Sequence, residues 1–249
     1  MIRTAPLEQA ELAIIGAGCA GLSLARQLVR TEKTSSIKAC LYGPVSPAAT
    51  NRHSWGFWAT QGLKEQTELA RQRWHKWQII TAERKVTQTA DSHPYCRLDS
   101  RDWLTHCLNI IDGNIQQEPD NLPTPGAKPV FDSRPPNVPD GAMLQHFKGV
   151  EIKAAQPCFS PDTAILMDFR CDQSRGIHFI YLLPYSPTEA LVESTMLSPK
   201  RQNDEFYAEA IKTYLETYWA TGGWQVNHTE QGCIPMAFVQ PANPDYLPI

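Results

Sequence analysis

The sequence predicts a mixed α/β chain in which a parallel-sheet domain opens the fold and an antiparallel-sheet domain follows. Three observations predict it. A short apolar run near the N-terminus leads through a glycine-rich turn into an apolar-faced helix. A second apolar run then closes a βαβ unit of about 30 residues. After Gln145 the pattern changes to short apolar runs separated by turn-rich segments, as in an antiparallel meander.

Leu12-Ala-Ile-Ile-Gly16 reads as a short buried strand, apolar throughout as parallel strands covered on both faces tend to be. Leu22 to Arg30 continues as a helix whose apolar face is Leu22, Leu24, Ala25 and Leu28. Ile37 to Tyr42 is the second strand, stopped by Gly43-Pro44. The aromatic-rich stretch 51–115 favours helix over Lys64–Trp77 and again over Ser100–Ile111, with Ser100 as its cap. Seven prolines between Pro119 and Pro139 make an irregular connector, broken by a short strand at Pro129–Asp132. Strands are expected over Thr163–Arg170, Ile177–Leu183 and Glu189–Met196. A helix over Asp204–Trp219 follows, ended by Gly222-Gly223, and a last strand runs over Trp224–Thr229. The expected domains are 1–140, Rossmann-like and dinucleotide-binding, and 141–236, an antiparallel substrate domain with helix 204–219. Residues 237–249 form a truncated return segment.

Composition excludes several classes. A net charge of −3 without a basic stripe gives no reason to expect nucleic acid. Seven singly scattered cysteines contain no C-x-x-C pair, and the seven histidines show no H-x-x-x-H or H-E-x-x-H spacing, so no metal site is expected. Reduced thiols in a cytoplasmic compartment are the reading that follows. Glu8 and Glu11 precede the first apolar run where a signal peptide needs a basic region. Leu12–Ala25, an uncharged stretch that no other in the chain exceeds, is shorter than the roughly 20 apolar residues of a membrane span.

The chemistry starts at Gly16-Ala17-Gly18-Cys19-Ala20-Gly21. Gly16 lets the chain turn off the strand, Gly18 admits a pyrophosphate close to the backbone, and Gly21 lets the helix approach the sheet. The helix N-terminus then offers unpaired N–H groups to phosphate. The carboxylate expected about 20 residues on, for the ribose hydroxyls, is replaced by Tyr42. Within Leu191-Val-Glu193-Ser-Thr195, Leu191, Glu193 and Thr195 share one strand face. Glu193 is a solvated charge if that face is open. If it is apolar and enclosed, burial holds the carboxyl protonated at neutral pH, as a general acid requires. Asp168 and Arg170 share a face too, and pair with each other or with a cofactor. Phe131-Asp132-Ser133-Arg134-Pro-Pro136 sets two charges beside fixed proline geometry. Trp55, Phe57 and Trp58 form either core or an aromatic wall that can face a cation.

Together these segments resemble the lycopene cyclase family of FAD-dependent carotenoid enzymes. The matching pieces, in family order, are Ile14–Ala25, His53-Ser-Trp-Gly-Phe-Trp58, Phe131–Pro136, Leu144-Gln-His-Phe-Lys-Gly149, Ile165-Leu-Met-Asp-Phe-Arg170, Phe179-Ile-Tyr-Leu-Leu-Pro184, Leu191–Thr195 and Glu230-Gln-Gly-Cys-Ile-Pro-Met236. The resemblance implies redox-neutral closure of a β-ionone ring at the end of lycopene or a related linear carotenoid. It implies reduced FAD as cofactor and NADPH as its reductant. Glu193 matches the glutamate that the family assigns to acid–base catalysis, and Ser194 stands where plant-type members carry a second one. Asp168 is the secondary catalytic candidate. The implied cofactor contacts are Gly16, Ala17, Gly18, Cys19, Ala20, Gly21 and Arg134. So apolar a substrate implies a cytoplasmic enzyme peripheral to a membrane surface. Two alternatives are a flavin-dependent monooxygenase or halogenase of the same architecture, and a carotenoid-binding remnant without catalysis. The family's glycine-rich segment after Ile-Pro-Met falls past Ile249, so the first domain is expected to keep an open sheet edge or cleft.

Overall fold

The structure, a computed structural model, describes residues 10–44, 52–118, 122–123, 128–239 and 243–249. In chain order its first elements are β1 (Leu12–Ile15), α1 (Cys19–Arg30), β2 (Ala39–Tyr42), β3 (Ser54–Trp58), α2 (Lys64–Leu69), β4 (Gln72–Trp74) and β5 (Lys76–Ile80). Next come β6 (Lys85–Thr89), β7 (Tyr95–Asp99), α3 (Ser100–Ile111), β8 (Gln116–Glu118), β9 (Val130–Asp132) and β10 (Leu144–Ala154). The last are β11 (Thr163–Asp168), β12 (Ile177–Pro184), β13 (Glu189–Ser198), α4 (Asp204–Tyr218), β14 (Trp224–Pro235) and β15 (Leu247–Pro248). The fold is the mixed α/β arrangement that the sequence predicts.

Two compact units share the chain: Met1–His53, Asp99–Val138 and Val239–Ile249 form one, and Ser54–Leu98 with Pro139–Phe238 the other. A linear boundary at residue 140 divides the chain differently. Strand pairing takes 54–98 into the second unit, because β5 lies beside β11. The C-terminal residues come back to the first.

The first unit is a parallel sheet of order β15-β9-β1-β2-β8. Ala13, Ile14 and Ile15 of β1 are fully buried, which explains the unbroken apolar run. Helices α1 and α3 are tied by Trp103, whose Nε1 donates to Ser23 Oγ at 2.9 Å and whose ring lies 5.2 Å below the Arg26 guanidinium. The cap of α3 is Asp99 and not Ser100: the Asp99 carboxylate accepts from Arg101 N at 3.0 Å, whereas the Ser100 hydroxyl accepts from His53 N. Tyr246 is buried in the return segment and donates to Pro123 O, and Leu247-Pro248 pairs alongside β9.

In the second unit a seven-stranded sheet has the order β14-β10-β13-β12-β11-β5-β6. It is antiparallel except for the β11–β5 pair, so it is not the pure meander the sequence suggests. The helix expected over Lys64–Trp77 stops at Leu69, where Ala70 turns extended. Gln72–Trp74 pairs with β7 instead, and Trp74, fully buried, donates its indole N–H to Pro184 O. Tertiary pairing overrides the local helical pattern there. The last strand runs six residues further than expected because β10 pairs with it as far as Pro235. Helix α4 starts at Asn203, whose side chain accepts from Phe206 N, and ends at Tyr218 before the glycines, which turn the chain into β14 with positive φ.

The two faces of this sheet differ. One packs Ile152, Ile180, Leu182 and Val192 against Ile211, Tyr214 and Leu215 of α4. The other carries Leu166, Leu183 and Leu191 with Trp74, Tyr95 and Tyr181, beneath the small sheet β3-β7-β4.

Candidate active site

Each unit carries one constellation. In the first, Gly16 has φ +96°, and a Cβ there would lie 2.3 Å from Ser133 Oγ. Ser133 donates that hydroxyl to Ile15 O at 2.7 Å, and its N–H also bonds Ile15 O, so β9 is laced to the end of β1 beneath the turn. A Cβ on Gly21 would sit 1.9 Å from Gly16 O, which makes glycine obligatory where α1 crosses the turn. Gly18 meets nothing within 4 Å and is exposed, as are Cys19 and Ala20; Ala17 is half-buried. Among the described residues no side chain caps the helix, which leaves its leading N–H groups without a side-chain acceptor. A helix N-terminus of this kind can accept phosphate oxygens.

The ribose side is different. Tyr42 is buried with Ala13, Ile15, Cys40, Val130 and Tyr246, and burial pushes its phenol up to about 12. It belongs to the core and offers nothing to a diol. Arg134, expected as a cofactor contact, forms a fork with Asp132: Nε to Oδ1 at 2.9 Å and the terminal nitrogen to Oδ2 at 2.7 Å. That guanidinium holds the Asp132 carboxyl below the usual carboxylate range.

Asp168 and Arg170 repeat the same local device at the end of β11, with bonds of 2.9 and 2.6 Å and Arg170 N on the same carboxylate. Asp168 is fully buried and also accepts from Tyr214 of α4 at 2.9 Å, while Arg170 stacks 3.8 Å from the Tyr218 ring. Asp168 thus pins α4 to the sheet. Replacing Asp168 with alanine is expected to destabilise the chain by about 3–5 kcal/mol, since it leaves a guanidinium and a buried phenol without their acceptor. A urea midpoint close to that of the parent would contradict this.

Glu193 lies on the opposite face. Register places Asp168 beside Ile180 and Ile180 beside Ser194, whereas Glu193 sits in the alternate row with Tyr181, Gly149 and Glu230. The structure therefore does not bring the two candidate acids together. Glu193 is half-buried and accepts from Thr195 Oγ1 at 2.6 Å. Burial pushes its carboxyl up to about 8; the Thr195 bond opposes this and the Glu230 charge adds to it. Next to it, Leu191 aligns with Glu151, and that carboxylate has a cation: Arg97 at 2.6 Å, itself 4.4 Å from the Tyr185 ring. Among the described residues no cation pairs with Glu193.

Aromatic rings surround this face. Tyr95 and Tyr181 feel the Glu193 charge, and burial lifts both phenols, so they stay neutral. Trp58 packs edge-on to Tyr95 at 5.2 Å and to Trp77 at 5.6 Å, and Phe179 packs edge-on to Tyr181 at 5.4 Å. A Cβ on Gly56 would meet Tyr95 Oη at 1.9 Å, so the glycine between Trp55 and Phe57 of β3 makes room for that ring. An acid held neutral among ring faces can protonate an unactivated carbon–carbon double bond and stabilise the cation that forms. Ser133 and Glu230 are the residues that sequence reasoning missed. Both lie in quoted segments, but nothing local marks their partners.

A family model described as "Lycopene cyclase protein" matches residues 11–111 and 118–245. A lycopene beta-cyclase from Pantoea ananas is 26% identical over 244 residues, covering 91% of this chain and 62% of that protein. One from a Paracoccus species is 35% identical over 101 residues, covering 40% of this chain and 25% of that protein. The chain thus spans about three-fifths of the length of the Pantoea relative. Among solved structures, a geranylgeranyl bacteriochlorophyll reductase-like protein from Thermoplasma acidophilum aligns with TM-score 0.71 at 12% identity, over 96% of this chain and 70% of that one. A halogenase in complex with phloroglucinol and FAD aligns with TM-score 0.61 at 11% identity, over 91% and 60%. These likenesses carry the fold.

Proposed function

The chain belongs to the lycopene cyclase family, and on that premise we propose that it serves the redox-neutral cyclisation of a linear end of lycopene to a β-ionone ring. The observation that carries this reading is Glu193, a carboxyl that no cation pairs with among the described residues and that burial on an aromatic face pushes up to about 8. Its proton goes to the terminal double bond and leaves a tertiary carbocation. A neighbouring double bond attacks that cation and forms the ring carbon–carbon bond. Loss of a ring proton to the Glu193 carboxylate restores the acid, so the product is an isomer of the substrate. The rings of Trp58, Tyr95 and Tyr181 offer their faces to the cation and keep water away.

The glycine turn fits the pyrophosphate of FAD, because a Cβ on Gly18 would meet nothing within 4 Å and, among the described residues, no side chain caps the helix N–H groups. Gly16, Ala17, Gly18, Cys19, Ala20 and Gly21 would hold it. Reduced FAD, when bound, supplies negative charge beside the developing cation, with NADPH as its reductant. Lycopene does not diffuse through water, so the enzyme acts as an isomerase on a polyene taken at a membrane surface. Among the described residues no helix is long and apolar enough to cross a membrane.

Expression of the chain in lycopene-accumulating cells, followed by absorbance and mass analysis of the pigments, tests the reading. The expected product has the mass of lycopene and a shorter conjugated system. A product heavier by an oxygen atom or a halogen favours the oxygenase or halogenase reading. Unchanged polyene co-purifying without flavin absorbance indicates carotenoid binding alone.

A further inference from the structure

Thr195 has no part in the mechanism above, yet the sheet encloses it beside the acid. It lies one cross-strand row from Glu193 on the same face, with Phe147 of β10 on one side and Phe179 of β12 on the other. Phe147 reaches over β14 at a glycine: a Cβ on Gly232 would lie 2.5 Å from Phe147 Cζ. Thr195 and Phe179 are buried, so the threonine hydroxyl sits in a row whose rings offer it no oxygen. Among the described residues its one hydrogen bond runs from Oγ1 to Glu193 Oε1 at 2.6 Å, and Glu193 Oε2 has no hydrogen-bond partner.

A neutral carboxyl has one oxygen that accepts and one that donates. The Thr195 hydroxyl carries a single hydrogen, and giving it to Oε1 makes Oε1 the carbonyl oxygen. The reverse arrangement, with the acid donating from Oε1, strands that hydrogen in a buried apolar row without an acceptor. We propose that Thr195 is a positioning residue that acts through Glu193: its hydroxyl keeps Oε1 as the carbonyl oxygen, so that the transferable proton is carried on Oε2. The inference rests on the reading of Glu193 as the proton donor. On delivery the Oε2–H bond breaks and a carbon–hydrogen bond forms at the alkene. The carboxylate left behind holds the Thr195 hydroxyl more tightly, because the bond is now charge-assisted. The ring proton then returns to Oε2, the oxygen that Thr195 leaves free, and the acid is restored in its first form.

The same bond sets a direction in pH, since a hydroxyl that donates to a carboxyl favours its ionised form. Tyr181 on β12 and Tyr95 on β7 have phenols lifted by burial, and Glu230 on β14 pushes Glu193 the way burial does. Thr195 is the group that draws the Glu193 carboxyl back down.

The test is infrared difference spectroscopy of the full chain, isotope-labelled at the glutamate carboxyl carbon. Spectra taken between about pH 6 and about pH 10 isolate a carboxyl that titrates there, as ordinary carboxylates do not. Loss of the band in Glu193→Gln identifies it. Thr195→Val keeps the branched shape and removes the donor. It is expected to move the Glu193 carbonyl band to higher frequency and the midpoint up by about one pH unit. The rate of cyclisation should fall about tenfold at unchanged KM, while its alkaline limb moves up with the midpoint. Thr195→Ser keeps the donor and should restore the band, the midpoint and most of the rate. Thr195→Ala removes the same hydroxyl and carries the test should the Val variant fail to fold. A midpoint that stays or falls without the hydroxyl, or a carbonyl band that does not move, overturns the proposal. If Glu193→Gln still closes rings, the proton-donor reading fails, whatever the spectra show. If Glu193→Gln is inactive and the band ignores residue 195, only the role of Thr195 fails.

Discussion

Replacing Glu193 with glutamine is expected to lower the rate of ring closure about a thousandfold while leaving flavin binding intact, since the amide keeps the shape of the side chain and carries no transferable proton. The same substitution should make the protein more stable at alkaline pH. The Glu193 carboxyl rises from an ordinary value of 4.5 to about 8 in the folded chain, chiefly through burial. A carboxyl raised by folding carries no penalty below its unfolded value. Stability is lost as pH climbs from there towards the folded value, because the unfolded chain releases the proton first. The parent should therefore melt several degrees below Glu193→Gln at about pH 9, and the gap should close at about pH 4. Efficient cyclisation by the variant, or a gap that does not depend on pH, would refute the assignment. An acid whose replacement both inactivates and stabilises is one held in a costly state for its chemistry.

The second large effect separates two glycines of one motif. Gly21→Ala puts a Cβ 1.9 Å from Gly16 O, so α1 must lift from the end of β1. The expected result is a loss of about 1–3 kcal/mol, together with loss of flavin. The Cβ added by Gly18→Val meets no atom within 4 Å, at an ordinary φ of −86°. It should cost no more than about 1 kcal/mol, the usual size of a cap effect. Yet its side chain fills the space that the phosphates need, and flavin affinity should fall about a hundredfold or more. Thermal melts and flavin titration of both variants distinguish the roles. A Gly18→Val protein that binds flavin like the parent would show that this open face is not the phosphate cradle.

Some of this was legible because it is local. The strand–turn–helix from Leu12 to Arg30 rests on steric demands within a few residues, and the structure meets each of them. Asp-x-Arg occurs at 99–101, 132–134 and 168–170; in the last two the arginine folds back on the aspartate that ends its strand, whereas the Asp99 carboxylate takes Arg52. Spacing alone suggests that pairing. It does not reveal that Asp168 also holds Tyr214 across 46 positions of sequence. The 64–77 stretch shows the limit of local reading. Its spacing suits a helix, but Trp74 gains more by burial under β7 and β11 than eight further helical residues could return.

The sequence by itself determined the glycine turn, the alternation that puts Glu193 with Leu191 and Thr195, and the family to which these segments belong. Only the tertiary structure decided which environment that face of β13 receives. The strands that carry Tyr95 and Trp58 come far earlier in the chain, at 95–99 and 54–58, and Glu230 arrives from β14 across a glycine of β10. The physical reason is that strand alternation fixes which residues share a face, whereas desolvation depends on what long-range pairing lays over it. Pairing and cover turn Glu193 from an ordinary surface carboxylate into an acid that keeps its proton near neutral pH.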